Sequence, residues 1–164
     1  MTGAVIHNGP HDRVYSHKAL TACLSLARIL QKAVECYEGD LESCAIYIAV
    51  ACASLSGAYR DPEVLAQPAD SGPVADSLHR PVSRRAIAAA TGLPRETVRR
   101  KIAQLVDEGH LSEGPKGVRT RGGVLGERRN TEFCAALIRE FQRTAADLGR
   151  IERVAERPGW EDGQ

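Results

Sequence analysis

The 164-residue chain is predicted to be mainly α: N-terminal helices, two short helices hinged on a glycine and followed by a small β-hairpin, and a long C-terminal helix. Three observations predict this. Apolar residues recur at intervals of three and four before and after the middle of the chain. The stretch Ser83 to Leu111, SRRAIAAATGLPRETVRRKIAQLVDEGHL, reads as two amphipathic helices around Gly92. Gly114-Pro115-Lys116-Gly117 then sits between two short runs, as a hairpin tip does. The organisation expected is a tail over residues 1–14, an N-terminal helical region over 15–60, a connector over 61–79, the helix pair with its hairpin over 80–121, a C-terminal helix over 122–156 and a second tail over 157–164.

Met1 to Arg13 is short and polar, with Gly, Pro and His7 and His11, and reads as a fraying tail. From about Tyr15 to Tyr37, Leu20, Cys23, Leu24, Ala27, Leu30 and Val34 form a helical stripe that Gly39 closes. Asp40 suits the N-cap of the next helix, Leu41 to about Tyr59, in which no charged residue occurs from Ser43 through Tyr59. That helix is rich in Ala and Ser and short of the roughly 20 apolar residues that span a bilayer, so it reads as a buried central helix and no membrane is expected. Pro62, Pro68, Gly72 and Pro73 mark the connector, with a helical turn expected around Val64 to Gln67.

In the helix pair, Ser83 caps the first helix, and Ile87, Ala88 and Ala90 give it an apolar face. Gly92 allows the left-handed exit and Pro94 pre-sets the next start near Arg95. Val98, Ile102, Leu105 and Val106 make one buried stripe, which leaves Arg95, Glu96, Thr97, Arg99, Arg100, Lys101 and Gln104 on the faces away from it. Gly109 ends this helix. Asn130 is expected to cap the C-terminal helix, with Glu132 near its positive end. Cys134, Leu137, Phe141, Thr144, Leu148, Ile151 and Ala155 follow as a heptad-like seam, suited to a partner helix or to the chain's own N-terminal helices. The first is favoured. With the uncharged helix it implies a homodimer.

Over Pro81 to Thr120 the chain resembles winged helix-turn-helix regulators. The helical region before this stretch and the long helix after it resemble the multiple-antibiotic-resistance regulator superfamily of bacterial transcription factors. The resemblance implies a sequence-specific, double-stranded DNA-binding transcriptional regulator, acting as a cytoplasmic homodimer and leaving room for a small-molecule effector that no residue identifies. It places Arg95, Thr97, Arg99 and Arg100, with Glu96 beside them, at base edges or nearby phosphates. Ser83, Arg84, Arg85 and Lys101 fix register on the backbone. Lys116, Arg119 and Arg121 on the wing reach phosphates or the adjacent minor groove.

Charge agrees with this. The net of +1 conceals ten Lys and Arg against four Asp and Glu from Arg80 to Arg121, a local +6 that leaves −5 elsewhere. Phosphate neutralisation depends on such local excess. The alternative is a winged helix that contacts a protein instead of DNA. Enzyme classes lose their warrant: HExxH and GxSxG are missing, and Arg121-Gly122-Gly123-Val124-Leu125-Gly126 lacks the Walker lysine and the GxGxxG spacing. Cys23, Cys36, Cys44, Cys52 and Cys134 contain no CxxC pair, so neither metal nor cofactor is expected and the cysteines read as structural. A redox-sensing Cys36 or Cys134 is the sharper alternative. The odd cysteine count and the lack of a signal peptide point to a reducing cytoplasm.

Overall fold

The computed structural model describes residues 10–66, 75–123 and 126–156. The expectations for residues 1–9, for Gln67, Pro68, Gly72 and Pro73 of the connector, for Val124 and Leu125, and for the tail 157–164 lie outside the described residues. Helix α1 spans Pro10–Cys36. It begins earlier than Tyr15, because a proline without an N–H is tolerated in a first helical turn, and residues 10–14 are therefore helix and not tail. Glu38 and Gly39 leave it with φ of +51° and +86°, and the Gly39 N–H donates to Val34 O at 2.9 Å. Asp40 caps α2, Leu41–Leu55: its Oδ1 accepts from Ser43 N at 3.0 Å and its Oδ2 from Ser43 Oγ at 2.7 Å. The helix stops short of Tyr59, and Ala58–Arg60 continues as a 3-10 turn. One turn of helix, α3 at Pro62–Leu65, is capped by Asp61, and a second 3-10 turn covers Asp76–Leu78. Among the described residues, no helix is long and apolar enough to cross a membrane.

Two compact units make up the chain. The unit Ala33–Glu132 contains α2, α4 (Arg84–Thr91), α5 (Arg95–Asp107) and the antiparallel strands β1 (Leu111–Gly114) and β2 (Gly117–Thr120). Helices α4 and α5 are joined by Gly92-Leu93-Pro94, with Gly92 left-handed at φ +70° and Pro94 as the N-cap of α5. Leu111 faces Thr120 and Gly114 faces Gly117 in the hairpin register. Helix α2 packs on α4, α5 and β2 within one core, although the sequence sets it apart behind the connector. Its lack of charge beyond Glu42 follows from this. Ile46, Val50, Ile87, Val98, Ile102, Leu105, Leu111 and Val118 are all buried there, each contributing roughly 1.5–3 kcal/mol relative to exposure.

Val82, just before α4, forms an antiparallel bridge with Val118 of β2, donating to its carbonyl at 2.7 Å and accepting from its N–H at 2.9 Å. The approach depends on Gly117, where φ is +130° and a Cβ would stand 2.5 Å from Val82 O. Nearby, the buried His79 places Nδ1 3.0 Å from Thr120 O and 2.9 Å from Thr120 Oγ1. Arg80 N donates to Ser54 O at 3.0 Å. The segment 79–82 is thus held between α2 and the hairpin.

The other unit consists of the remainder of α1 and of α6, Arg128–Ala155. Lys18 Nζ meets Glu152 Oε1 at 2.7 Å, Thr144 Oγ1 donates to Ser25 Oγ at 2.7 Å, and Arg28 Nη1 meets Glu140 Oε1 at 3.0 Å. This descending order makes the pair antiparallel. Asn130 is not the N-cap of α6: the helix starts at Arg128, and Asn130 turns inward, 1% exposed, where the Tyr37 hydroxyl donates to its Oδ1 at 3.5 Å. The seam of α6 is half-buried at Leu137, Thr144, Leu148 and Ile151 but exposed at Phe141. The expected stripe of α1 points outward: Leu20, Cys23, Leu24, Ala27, Leu30 and Val34 are all exposed.

Candidate nucleic-acid interface

Helix α5 buries Val98, Ile102 and Leu105, and with them Lys101, which is only 8% exposed. This corrects the outward placement of Lys101. Its Nζ lies 2.5 Å from Asp40 Oδ2, so its charge is engaged at the N-cap of α2. Burial raises the Asp40 carboxyl, but the hydrogen bonds from Lys101 and Ser43 outweigh it and hold the group below its ordinary range. A bidirectional cap results, in which one carboxylate closes α2 and anchors α5. The sequence signalled only its first half, because the 61-residue separation of the two partners has no periodic trace.

With these positions turned inward, the exposed arc of α5 carries Arg95, Glu96, Arg99 and Arg100, while Thr97 is half-buried. Arg99 grips Glu96 with Nε at 2.9 Å and Nη2 at 2.6 Å. The hydrogen bond from Arg99 holds the Glu96 carboxyl below its usual range and raises the guanidinium in return. Arg100 stands 3.7 Å from Glu42 of α2. Both contacts lie in solvent, where an arginine exchanges a carboxylate for a phosphate at little cost. No ion pair involves Arg85, Arg95 or Lys116 among the described residues.

At the start of α4, Ser83 Oγ accepts from Ala86 N at 3.2 Å, so its hydroxyl is spent on the cap. Arg84 pairs with Glu113 of β1 at 2.7 Å and ties the helix to the hairpin, while Arg85 is exposed. In the hairpin, Lys116 is exposed at the tip and Arg119 is half-buried. Arg121 donates to Gly109 O at 3.2 Å, which braces the two ends of the hairpin. The structure brings α5, the α4 start and the hairpin into one unit that carries a net charge of +6 between Arg80 and Arg121. Val82, Gly117 and His79 were missed as positioning residues, as was the hold of Asp40 on Lys101. A one-residue bridge lies below any period, and Gly117 signalled a turn without the close approach that requires it.

No group of His, Cys, Asp and Glu among the described residues could hold a metal ion. None of the five cysteines is held in a disulfide, and burial pushes the Cys44 thiol up to about 11, which keeps it protonated. No protein family, curated protein or solved structure matches the chain.

Proposed function

We propose that the chain is a winged helix-turn-helix protein that binds duplex DNA and regulates transcription. In this reading α5 enters the major groove and the β1–β2 hairpin is the wing. The observation that carries it is the exposed arc of α5, with Arg95, Arg99 and Arg100 on the outside of a helix whose other side is fixed in a core. Three further features support it. The helix pair turns on a left-handed Gly92; Val82 bridges to the second strand of the hairpin, as a wing-bracing segment would; and Lys116 projects at the hairpin tip. Arg95, Arg99 and Arg100 read guanine edges or neighbouring phosphates, since a guanidinium fits the O6 and N7 of guanine in a bidentate manner. Arg85 and Lys116 hold phosphates. Lys101 is withdrawn from this set and acts by fixing the pitch of α5 against α2.

Selection of bound sites from random duplexes tests the reading. The intact protein is expected to enrich one motif, and Arg99→Ala/Arg100→Ala to lose it while keeping the wild-type unfolding transition. Recovery of no motif, or the same motif at the same affinity in the double variant, overturns it. Protein partners captured through the same face, without DNA, would support an interaction module.

A further inference from the structure

We infer that the groove between α1 and α6 is a binding site for a compact polyphosphate anion, one that carries at least two adjacent phosphate groups. Arg28 and Lys32 of α1 and Arg139 and Arg143 of α6 line a single cavity of about 480 Å³. Each helix contributes its two bases at i and i+4, one turn and about 6 Å apart on the same face. The antiparallel register stands Arg28 level with Glu140 and Ser25 level with Thr144. Arg143 therefore lies near the level of Ser25, Arg139 near that of Arg28, and Lys32 one turn further on. The four bases meet across about 10 Å of one groove.

One carboxylate, Glu140, shares the lining, and Arg28 Nη1 holds it at 3.0 Å. The lining keeps a charge of +3. Asp147 does little to reduce it: its Oδ1 accepts from Arg150 Nη2 at 2.8 Å, while Arg143 Nε stands 3.9 Å from its Oδ2. No ion pair involves Arg139 among the described residues. Like charges one turn apart on a helix repel each other, and an anion set between them turns that repulsion into attraction. A single carboxylate would answer one of these charges. Adjacent phosphates answer all three, and their oxygens accept from guanidinium and ammonium donors approaching from both helices. Ile29, Ala136 and Leu137 supply an apolar floor, so the cavity has room and surface for the organic part of a phosphate ester as well. A duplex presents its phosphates along a convex backbone, which suits the exposed arc of α5. Bases that face one another across a cavity enclose a compact anion instead. The groove belongs wholly to the α1–α6 unit, and the DNA reading uses none of its residues.

Isothermal titration of the full chain with inorganic tripolyphosphate, at fixed ionic strength and without divalent cations, tests the assignment. Saturable binding is expected, roughly tenfold or more tighter than that of orthophosphate, together with a rise in the unfolding midpoint. Arg139→Ala/Arg143→Ala should weaken it roughly tenfold or more, and Lys32→Gln should weaken it by a smaller factor. The single variant keeps every α6 side chain, so it stands even where the double variant loses helix. Arg99→Ala/Arg100→Ala should bind tripolyphosphate as the wild type does, which separates this site from α5. A nucleoside triphosphate in the same titration distinguishes the two sources of the anion: tighter binding than tripolyphosphate assigns the floor to the organic part of an ester, and equal binding assigns the site to inorganic polyphosphate. No binding at millimolar tripolyphosphate overturns the assignment, as does equal binding of orthophosphate or wild-type affinity in both groove variants. Groove variants that lose duplex affinity and keep tripolyphosphate would overturn it too, by making the groove a DNA surface.

Discussion

Gly117 lies so close to Val82 that a Cβ on the glycine would stand 2.5 Å from the Val82 carbonyl oxygen and 2.9 Å from its carbon. The two backbone bonds between Val82 and Val118 therefore exist only because position 117 has no side chain. Gly117→Ala combines this collision with a φ of +130° and should destabilise the protein by more than about 1 kcal/mol. Gly114→Ala, with nothing within 4 Å of its Cβ, serves as the control and should cost much less. Urea midpoints check both. Equal midpoints for wild type and Gly117→Ala would show that the close approach of Val82 to the hairpin contributes nothing to stability.

Lys101 and Asp40 supply the second prediction. Lys101→Met removes a charge-assisted hydrogen bond in a half-buried site and should lower stability by about 1–3 kcal/mol. Asp40 has a folded pKa below its ordinary 3.8, so its contribution is complete above that value and is lost as pH falls through the folded pKa. Acid titration of the unfolding free energy should therefore show a smaller drop below pH 3.8 in Asp40→Asn than in the wild type. Identical acid limbs would show that the carboxylate contributes nothing through its charge.

Glu96 occupies the centre of the arginine arc and holds Arg99 through two of its nitrogens. Facing a phosphate backbone, its carboxylate opposes binding twice, by repulsion and by occupying the guanidinium. Glu96→Gln should tighten duplex binding on the order of threefold to tenfold at fixed salt. Fluorescence anisotropy with one labelled duplex measures it. Weaker binding would mean that Glu96 orients Arg99 for a base, or itself accepts from a cytosine N4.

Much of the unit Ala33–Glu132 was legible in the sequence, because its signals are local. Gly39 and Gly92 adopt the left-handed exits, Asp40 and Ser83 accept at their caps, and the stripe Val98, Ile102 and Leu105 is buried as its spacing requires. What was not legible depends on residues far apart in the chain. Lys101 has the composition of a surface residue and becomes buried only because Asp40 arrives opposite it. Asn130 has the chemistry of a cap but sits past the helix start, against Tyr37. The stripe of α1 was legible as a stripe, yet periodicity does not say which side a neighbour takes. The α6 carboxylates and Thr144 decide that by drawing the polar half of α1 inward.

The salt dependence of duplex binding tests the DNA-reading account most directly. With a duplex enriched by selection, log K should fall linearly with log salt between about 50 and 200 mM, because each neutralised phosphate releases counterions. Lys116→Ala should lower that slope by about one and leave the preferred sequence unchanged. A flat salt dependence, or no duplex bound at any ionic strength, would contradict the assignment of α5 and the hairpin to DNA.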